Sequence, residues 1–451
     1  MDYKKISSYT ESHRPLIKEA FDYLLTHPAC GYREWEASRY LEEQYRKLGY
    51  TPILAEDIPG FYIDIDTGKE GPKIALFSEL DALPCPEHPY ADKETGAAHA
   101  CGHHAQGATL LGVAAVLKEE GVLDGLCGSI RLLVVPAEEL VELDFRAELK
   151  RKGIIGYFGG KQEFLRRGYL DGVDMAFMIH TGGGIDRFTM WRGCNGCIIK
   201  KAEFKGKASH AGGSPSRGIN AMYAASLSLN AINSMRETFR DSDHVRVHPI
   251  IINAGKAVNI IPETALIENQ VRASSVDVCT KVNRKVNRAT AASAAAMGAK
   301  VTISDTPGYL PGKYDGTLTK YAIEAMREVV GEGEGRIRYL VDQWDGGCTD
   351  MGDISSVMPA LHAFGSGVTG TGHGKDYFVT HFDSACINSA NAQILFIRNM
   401  LKNNAQKARD VLSKFTPTFP SYKEYLDYLD SIFVSYEGVE YLEDGTAKLN
   451  Y

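Results

Sequence analysis

Four short apolar runs constrain this chain more than any other feature: KIALFSEL (73–80), SIRLLVV (129–135), VDMAFMI (173–179) and PALHAF (359–364). None of them shows the polar–apolar alternation of a half-exposed strand, so each is apolar on both faces. Helical sequence lies between them, as in HHAQGATLLGVAAVLKEE (103–120). Strands buried on both faces and separated by helices form a parallel sheet covered on both sides. Upstream, residues 15–49 read as helical, with apolar positions at Leu16, Ala20, Leu24, Leu41, Tyr45 and Leu48.

The middle of the chain has a different rhythm. CIIKKAEFKG (197–206) alternates like a strand with one wet face, and 216–239 reads as a helix. Two strands follow (245–253 and 263–274), then a helix (276–298) and a strand (299–304). This βαββαβ order is the ferredoxin-like split. At 451 residues the chain exceeds what one core usually fills. The expected architecture is therefore α/β: a larger domain with a mixed, largely parallel sheet, and an inserted ferredoxin-like lid. The larger domain takes residues 1–194 and 308–451, and the lid takes 195–307. The Tyr- and charge-rich tail 405–451 is assigned to the larger domain as a packing extension without chemistry.

A net charge of -7 argues against a nucleic-acid-binding surface, but leaves room for a local basic pocket. The sequence MDYKKISSYTESHRPL has no apolar run after its lysines, so it is not read as a signal peptide. No apolar stretch reaches the roughly 18 residues that a membrane span needs. The nine cysteines are odd in number and scattered, with one lone CxxC at Cys194 and Cys197. They read as reduced thiols in the cytoplasm.

Open α/β sheets bind ligands beyond the carboxyl ends of their strands. The first apolar run leads to Asp81, the second to Glu138 and Glu139, and the third to His180. The loop after the fourth carries His373, and a helix start carries Cys101 and His103. Thiolate, imidazole and carboxylate converging on one rim are what a borderline-soft divalent metal requires. A helix N-terminus would lower the Cys101 thiol pKa. Glu138 and Glu139 are adjacent, so they point differently: one can ligate while the other handles protons. Each residue alone reads as core, a satisfied polar group or a helix start; the combination favours a metal site.

These segments resemble the amidohydrolase branch of the zinc aminoacylase and carboxypeptidase superfamily, which includes hippurate hydrolase, auxin-conjugate amidohydrolases and p-aminobenzoyl-glutamate hydrolase. The resemblance is carried by SELDALP, HACGHHAQGATLLGVA, VVPAEE, MIHTGG, KASHAGGSP, NAGKAVNIIPE with Arg272, and GTGHG. It implies that Cys101, His103, Glu139, His180 and His373 hold two divalent ions, zinc or manganese. It implies Glu138 as general base and Asp81 as a supporting acid. The larger domain would be the catalytic one, and residues 195–307 would be both lid and dimerisation domain. His210 would assist the reacting carbonyl from the partner subunit of a homodimer, and Asn259 and Arg272 would hold a substrate carboxylate. A return of the chain after Pro262 would bring Arg272 back toward Asn259. Where the family often has Asp and His after Cys-Gly-His, this chain has His104 and Gln106. His381 competes with His373 for the last ligand position; the glycine-flanked loop favours His373.

The resulting expectation is a metal-dependent amidohydrolase that cleaves an N-acyl or N-aroyl amino acid, or a dipeptide-like conjugate, with a metal-activated water and Glu138 as base. The substrate is a small molecule with a free carboxylate; nucleic acid and membrane are not partners. Two rivals remain: hydrolytic deamination of an aromatic amine on the same scaffold, and a catalytically silent metal-binding protein.

Overall fold

The structure is a computed structural model that describes residues 1–451. It divides into two compact units. The first comprises Met1–Arg192, Lys313–Gln343 and Thr349–Tyr422; the second comprises Gly193–Gly312, Trp344–Cys348 and Lys423–Tyr451.

In the first unit the four apolar runs stand side by side in the order Ser129–Val135, Lys73–Glu79, Met175–Gly183, Ala360–Thr369, all parallel. Phe61–Asp66 extends the sheet on one side, antiparallel to Ser129–Val135. Phe188–Trp191 extends it on the other, antiparallel to Ala360–Thr369, and pairs in parallel with Ile337–Leu340. The result is a mixed sheet with a parallel centre, and it puts four strand ends on one rim.

The helix His103–Leu117 is buried at every residue, which is why its sequence is apolar all round. Gly107 and Gly112 let a neighbouring helix approach closely: a Cβ at either would come within 2.8 Å of Leu24 Cδ1 or 2.5 Å of Ile17 Cδ1. Residues 15–49 form two helices, Arg14–Thr26 and Trp35–Lys47, rather than one continuous element. The break contains Pro28 and Gly31, with Tyr32 at φ 65°. It delivers Glu34 to the base of the loop that follows Val135. No helix is long and apolar enough to cross a membrane.

The second unit is an antiparallel sheet with two helices, Ala221–Ser234 and Val276–Ala296. Its strands run Ile250–Ala254, Thr264–Ala273, Gly196–Lys205, Lys300–Pro307, which numbers 2-3-1-4 along the βαββαβ order. The tail departs from the expected assignment. Val434–Glu437 pairs with Lys300–Pro307 as a further strand, so residues 423–451 belong with this unit and not with the first unit's sheet. The free backbone edge of Lys300–Pro307 supplies the ladder that recruits it.

Candidate metal centre

The rim of the first unit's sheet brings the expected ligands together. One donor atom from each of Cys101, His103 and His180 lies within 4.8 Å of the others, and the same holds for Cys101, Glu139 and His373. The two groups share the thiol. Cys101 Sγ is 3.5 Å from His180 Nε2, and His373 Nε2 is 3.1 Å from Glu139 Oε1. His381 is exposed and belongs to neither group.

Both central imidazoles are oriented by backbone oxygens. His103 Nδ1 donates to the Asp81 carbonyl at 2.7 Å, and His180 Nδ1 donates to the Thr181 carbonyl at 2.9 Å. A carbonyl oxygen only accepts, so Nδ1 carries the proton and Nε2 is left to face the site. Asp81 works on two elements at once: its carboxylate lies 3.2 Å from His103 Nδ1 and accepts the Glu139 N–H at 2.8 Å.

The residues fit a metal. His103 Nε2 is buried without a hydrogen bond, and it belongs to a donor group with Cys101 and His180. Buried polar atoms are usually paired, so a nitrogen left in this setting fits a metal ligand. The sulfur, nitrogen and oxygen donor set suits zinc-like ions. The charge states agree. Burial opposes a proton on His103, yet Glu79 and Cys101 hold its pKa well above the imidazole range. A cation can take the place of that proton. The expected lowering of the Cys101 thiol is not found on protein groups alone: burial, reinforced by Glu139, pushes it well up. The helix begins at His103 with Gly102 as its cap, so Cys101 lies outside the first turn.

Glu138 occupies a separate environment. It groups with His103 and Glu139 on one side and with Glu79 and Asp350 on the other. Burial, together with Glu79, Glu139 and Asp350, pushes its carboxyl well above the ordinary range. Beneath it lies a buried charge network that sequence reasoning missed. Lys161 Nζ contacts Glu79 Oε1 at 2.5 Å and Asp350 Oδ1 at 2.6 Å, and the Lys161 N–H donates to Asp350 Oδ2 at 2.9 Å. Gln106, at one of the positions that departs from the family motif, donates to Glu79 at 2.8 Å and accepts its N–H at 3.2 Å. His104, at the other, packs on Phe21 and His99 in the core, and burial holds it neutral. Glu79 stood in SELDALP beside Asp81; Lys161 and Asp350 had no motif to announce them.

The loop bearing Glu138 and Glu139 is held by a second missed pair. Ala137 has φ 57°, a left-handed conformation that non-glycine residues seldom adopt. Its N–H donates to Glu34 Oε1 at 2.8 Å. The fully buried Arg146 donates to the carbonyls of Ala137 at 3.3 Å, Phe158 at 2.7 Å and Glu139.

His210, Asn259 and Arg272 lie in the second unit. The His210 ring accepts the N–H groups of Gly212 and Gly213 at 3.2 and 2.8 Å, and Ala211 N–H donates to the Asn259 carbonyl at 2.9 Å. His210 and Asn259 are therefore neighbours. Arg272 is not: it pairs with Cys197 at one end of the Gly196–Lys205 ladder, whereas the loop carrying Asn259 precedes Thr264 at the other. Eight strand residues separate Arg272 from Thr264, about 27 Å. The expected return toward Asn259 does not occur within one chain, because Thr264–Ala273 pairs without a break along Gly196–Lys205. Arg272 instead donates to Gln270 Oε1 at 3.1 and 2.6 Å. The CxxC thiols are not bridged; Cys197 Sγ faces Cys348 Sγ at 3.5 Å.

A metal-binding rim on a mixed α/β sheet defines a class, the metal-dependent amidohydrolases, and comparison with known proteins agrees. The chain belongs to the peptidase family M20/M25/M40, whose model matches residues 75–399. It is 30% identical over 316 residues to N-acetyl-L-cysteine deacetylase of Bacillus subtilis, covering 68% of this chain and 71% of that one. It is 30% identical over 284 residues to indole-3-acetyl-aspartic acid hydrolase of Enterobacter agglomerans, covering 58% of each. Among solved structures, a dinuclear metal-binding M20 peptidase from Bacillus subtilis superposes with a TM-score of 0.65 at 22% identity, covering 85% of this chain and 97% of that one. The protein is thus a metal-dependent amidohydrolase by class.

Proposed function

We propose that this protein hydrolyses the amide bond of an N-acyl or N-aroyl amino acid, or of a dipeptide-like conjugate, using two divalent ions, zinc or manganese. Cys101, His103, Glu139, His180 and His373 would hold the pair. The observation that carries the reading is the two ligand groups joined at Cys101, with a buried Glu138 beside them. Relatives named for N-acetyl-L-cysteine and indole-3-acetyl-aspartic acid share an acyl group on an amino acid. When bound, such an ion pair acidifies a water and polarises the amide carbonyl. Glu138 would take the attacking water's proton and return it to the leaving amine. Its raised pKa suits a group that must both accept and release a proton. Asp81 would hold His103 and Glu139 in place for that exchange.

In this reading the first unit is the catalytic domain and the second is the lid and dimerisation domain. His210 would donate to the carbonyl oxygen as charge develops there, a contribution of about 3 kcal/mol per donor. A carboxylate contact from both Asn259 and Arg272 would draw on two subunits, since one chain keeps them apart. Dimerisation through the second unit is supported by its free edge strand. Ile250, Ile251 and Ile252 are 45%, 37% and 51% exposed there, and Tyr223 and Leu227 are exposed on the adjoining helix. Exposed edge strands rich in apolar side chains are pairing surfaces. Nine unbridged thiols suit a reducing compartment, the cytoplasm.

The test is a panel of acyl-amino acids, dipeptides and their carboxamides, assayed with metal-loaded protein for the released amino acid and for ammonia. Release of an amino acid, with strong preference for the free acid over its carboxamide, is the expected result; Arg272→Ala should erase the preference. Ammonia from an aromatic amine, without amide cleavage, would overturn the proposal in favour of a deaminase.

A further inference from the structure

The helix Val276–Ala296 contains a duplicated tetrad, Lys281-Val282-Asn283-Arg284 followed by Lys285-Val286-Asn287-Arg288. Its inward half is explained by the fold. Val282 and Val286 belong to a buried apolar cluster, and Asn283 and Asn287 donate to Asp305 Oδ2 at 2.6 and 3.1 Å. The outward half is not. Lys281, Arg284, Lys285 and Arg288, spaced three and four residues apart, lie on one face and line a groove of about 750 Å³, joined there by Arg240 from the preceding loop. Like charges at this spacing repel. Only Lys281 has an ion pair, with Asp277 at 2.5 Å; Arg240, Arg284, Lys285 and Arg288 have none. Against five cationic side chains the groove sets two side-chain carboxylates, Asp243 and Asp277, in a chain whose net charge is -7. Ion pairing gives no reason to gather these cations there. A concave surface lined by one sign of charge concentrates the opposite charge.

We infer that this groove is a binding site for a small polyphosphate, a ligand carrying two or more linked phosphates. The cations from Lys281 to Arg288 span about 10 Å of helix. That length suits a short phosphate chain and not a nucleic-acid strand, which needs a continued basic track. Arginine forks match phosphate oxygens in pairs. Two aromatic rings line the same groove: Lys285 Nζ lies 5.8 Å from the Phe239 centroid, and Arg288 Cζ lies 5.9 Å from that of Tyr451. They offer a face to a nucleoside base, should the phosphates belong to a nucleotide. The site lies wholly within the second unit and is independent of the proposed amide hydrolysis.

The experiment is calorimetric titration of the metal-loaded protein with tripolyphosphate, ATP, orthophosphate and a single-stranded oligonucleotide, at about 0.15 M salt so that screening removes weak surface attraction. Wild type should bind tripolyphosphate saturably with a sub-millimolar Kd, and more tightly than orthophosphate. ATP binding more tightly than tripolyphosphate would identify the rings as a base platform, and equal binding would identify the phosphate chain alone as the ligand; either supports the site. The double variant Arg284→Glu, Arg288→Glu should weaken tripolyphosphate by about tenfold or more, while Arg284→Lys, Arg288→Lys largely retains it. Both residues are exposed, so the fold should survive, and tripolyphosphate chelates metal equally in all variants. Undiminished affinity in the charge-reversed variant would overturn the inference. So would orthophosphate binding equal to tripolyphosphate, an oligonucleotide binding tighter than either, or no saturable binding by wild type.

Discussion

Replacing Lys161 with methionine, which keeps its length and removes its charge, should strip the buried network under Glu138 of the one ammonium that both Glu79 and Asp350 contact. Lys161, Glu79 and Asp350 are each 1% exposed or less, and the ammonium touches both carboxylates. Burial and Glu79 work against a charge on Asp350: even with Lys161 present its pKa is pushed up to about 6. Breaking a buried pair by removing one partner typically destabilises by about 3–5 kcal/mol, because the remaining charge has neither water nor counterion. That is the loss expected at pH 7, read as a shift in urea midpoint at unchanged slope and equal metal loading. The sign of its pH dependence follows. A carboxyl whose pKa is raised in the folded state adds stability below its unfolded pKa and loses it as pH rises. The deficit of the variant should therefore shrink on going from pH 7 to 5, by up to about 1.4 kcal/mol per pH unit for each carboxyl affected. Adding Asp350→Asn should restore part of the loss. A deficit below about 1 kcal/mol, or one indifferent to pH, would refute the reasoning that this lysine is the counterion of a desolvated acid pair.

Glu34 should separate charge from hydrogen bonding. Burial, with Asp81 nearby, raises its pKa to about 8, and Oε1 accepts the Ala137 N–H. Glu34→Gln should keep activity and match or exceed wild-type stability at pH 8, whereas Glu34→Ala should lower kcat and metal affinity together by loosening the Glu138–Glu139 loop; equal effects of the two variants in a steady-state and metal-titration assay would contradict this. His362 is buried, and desolvation lowers its pKa to about 3. Its neutral ring leaves stability intact above the unfolded value near 6.5, and stability falls as pH drops from there toward 3, by about 2 kcal/mol at pH 5. His362→Gln should flatten that part of the stability–pH curve, and an unchanged curve would rule the residue out.

Much of the fold was legible because period is written into sequence. The four central strands are apolar on both faces, and such runs in a βα alternation leave few alternatives. The flanking strand Phe61–Asp66 alternates buried and exposed residues as FYIDID and carried an equally plain signal, but stood apart from any chemistry. The tail strand Val434–Glu437 could not be placed from its sequence, because its partner, Lys300–Pro307, lies more than a hundred residues earlier. The candidate ligands were legible for a different reason: strand ends on one rim meet wherever they fall in the chain. The residues that were missed act at a distance in sequence. Lys161 meets Glu79 across 82 positions and Asp350 across 189, and a lone lysine in a helix gives no hint of burial. The approach of Arg272 to Asn259 was not legible: a turn near Pro262 suggests a return, and the length of the strand overrides it.

The central claim is that Glu138 moves the proton while its neighbours hold the metal. Glu138→Gln tests it with two readings on one sample, metal per chain by mass spectrometry and kcat on the best acyl-amino acid from the panel. The account predicts wild-type metal content with kcat lowered by about a hundredfold or more. Near-normal turnover, or loss of turnover only in step with loss of metal, would contradict it.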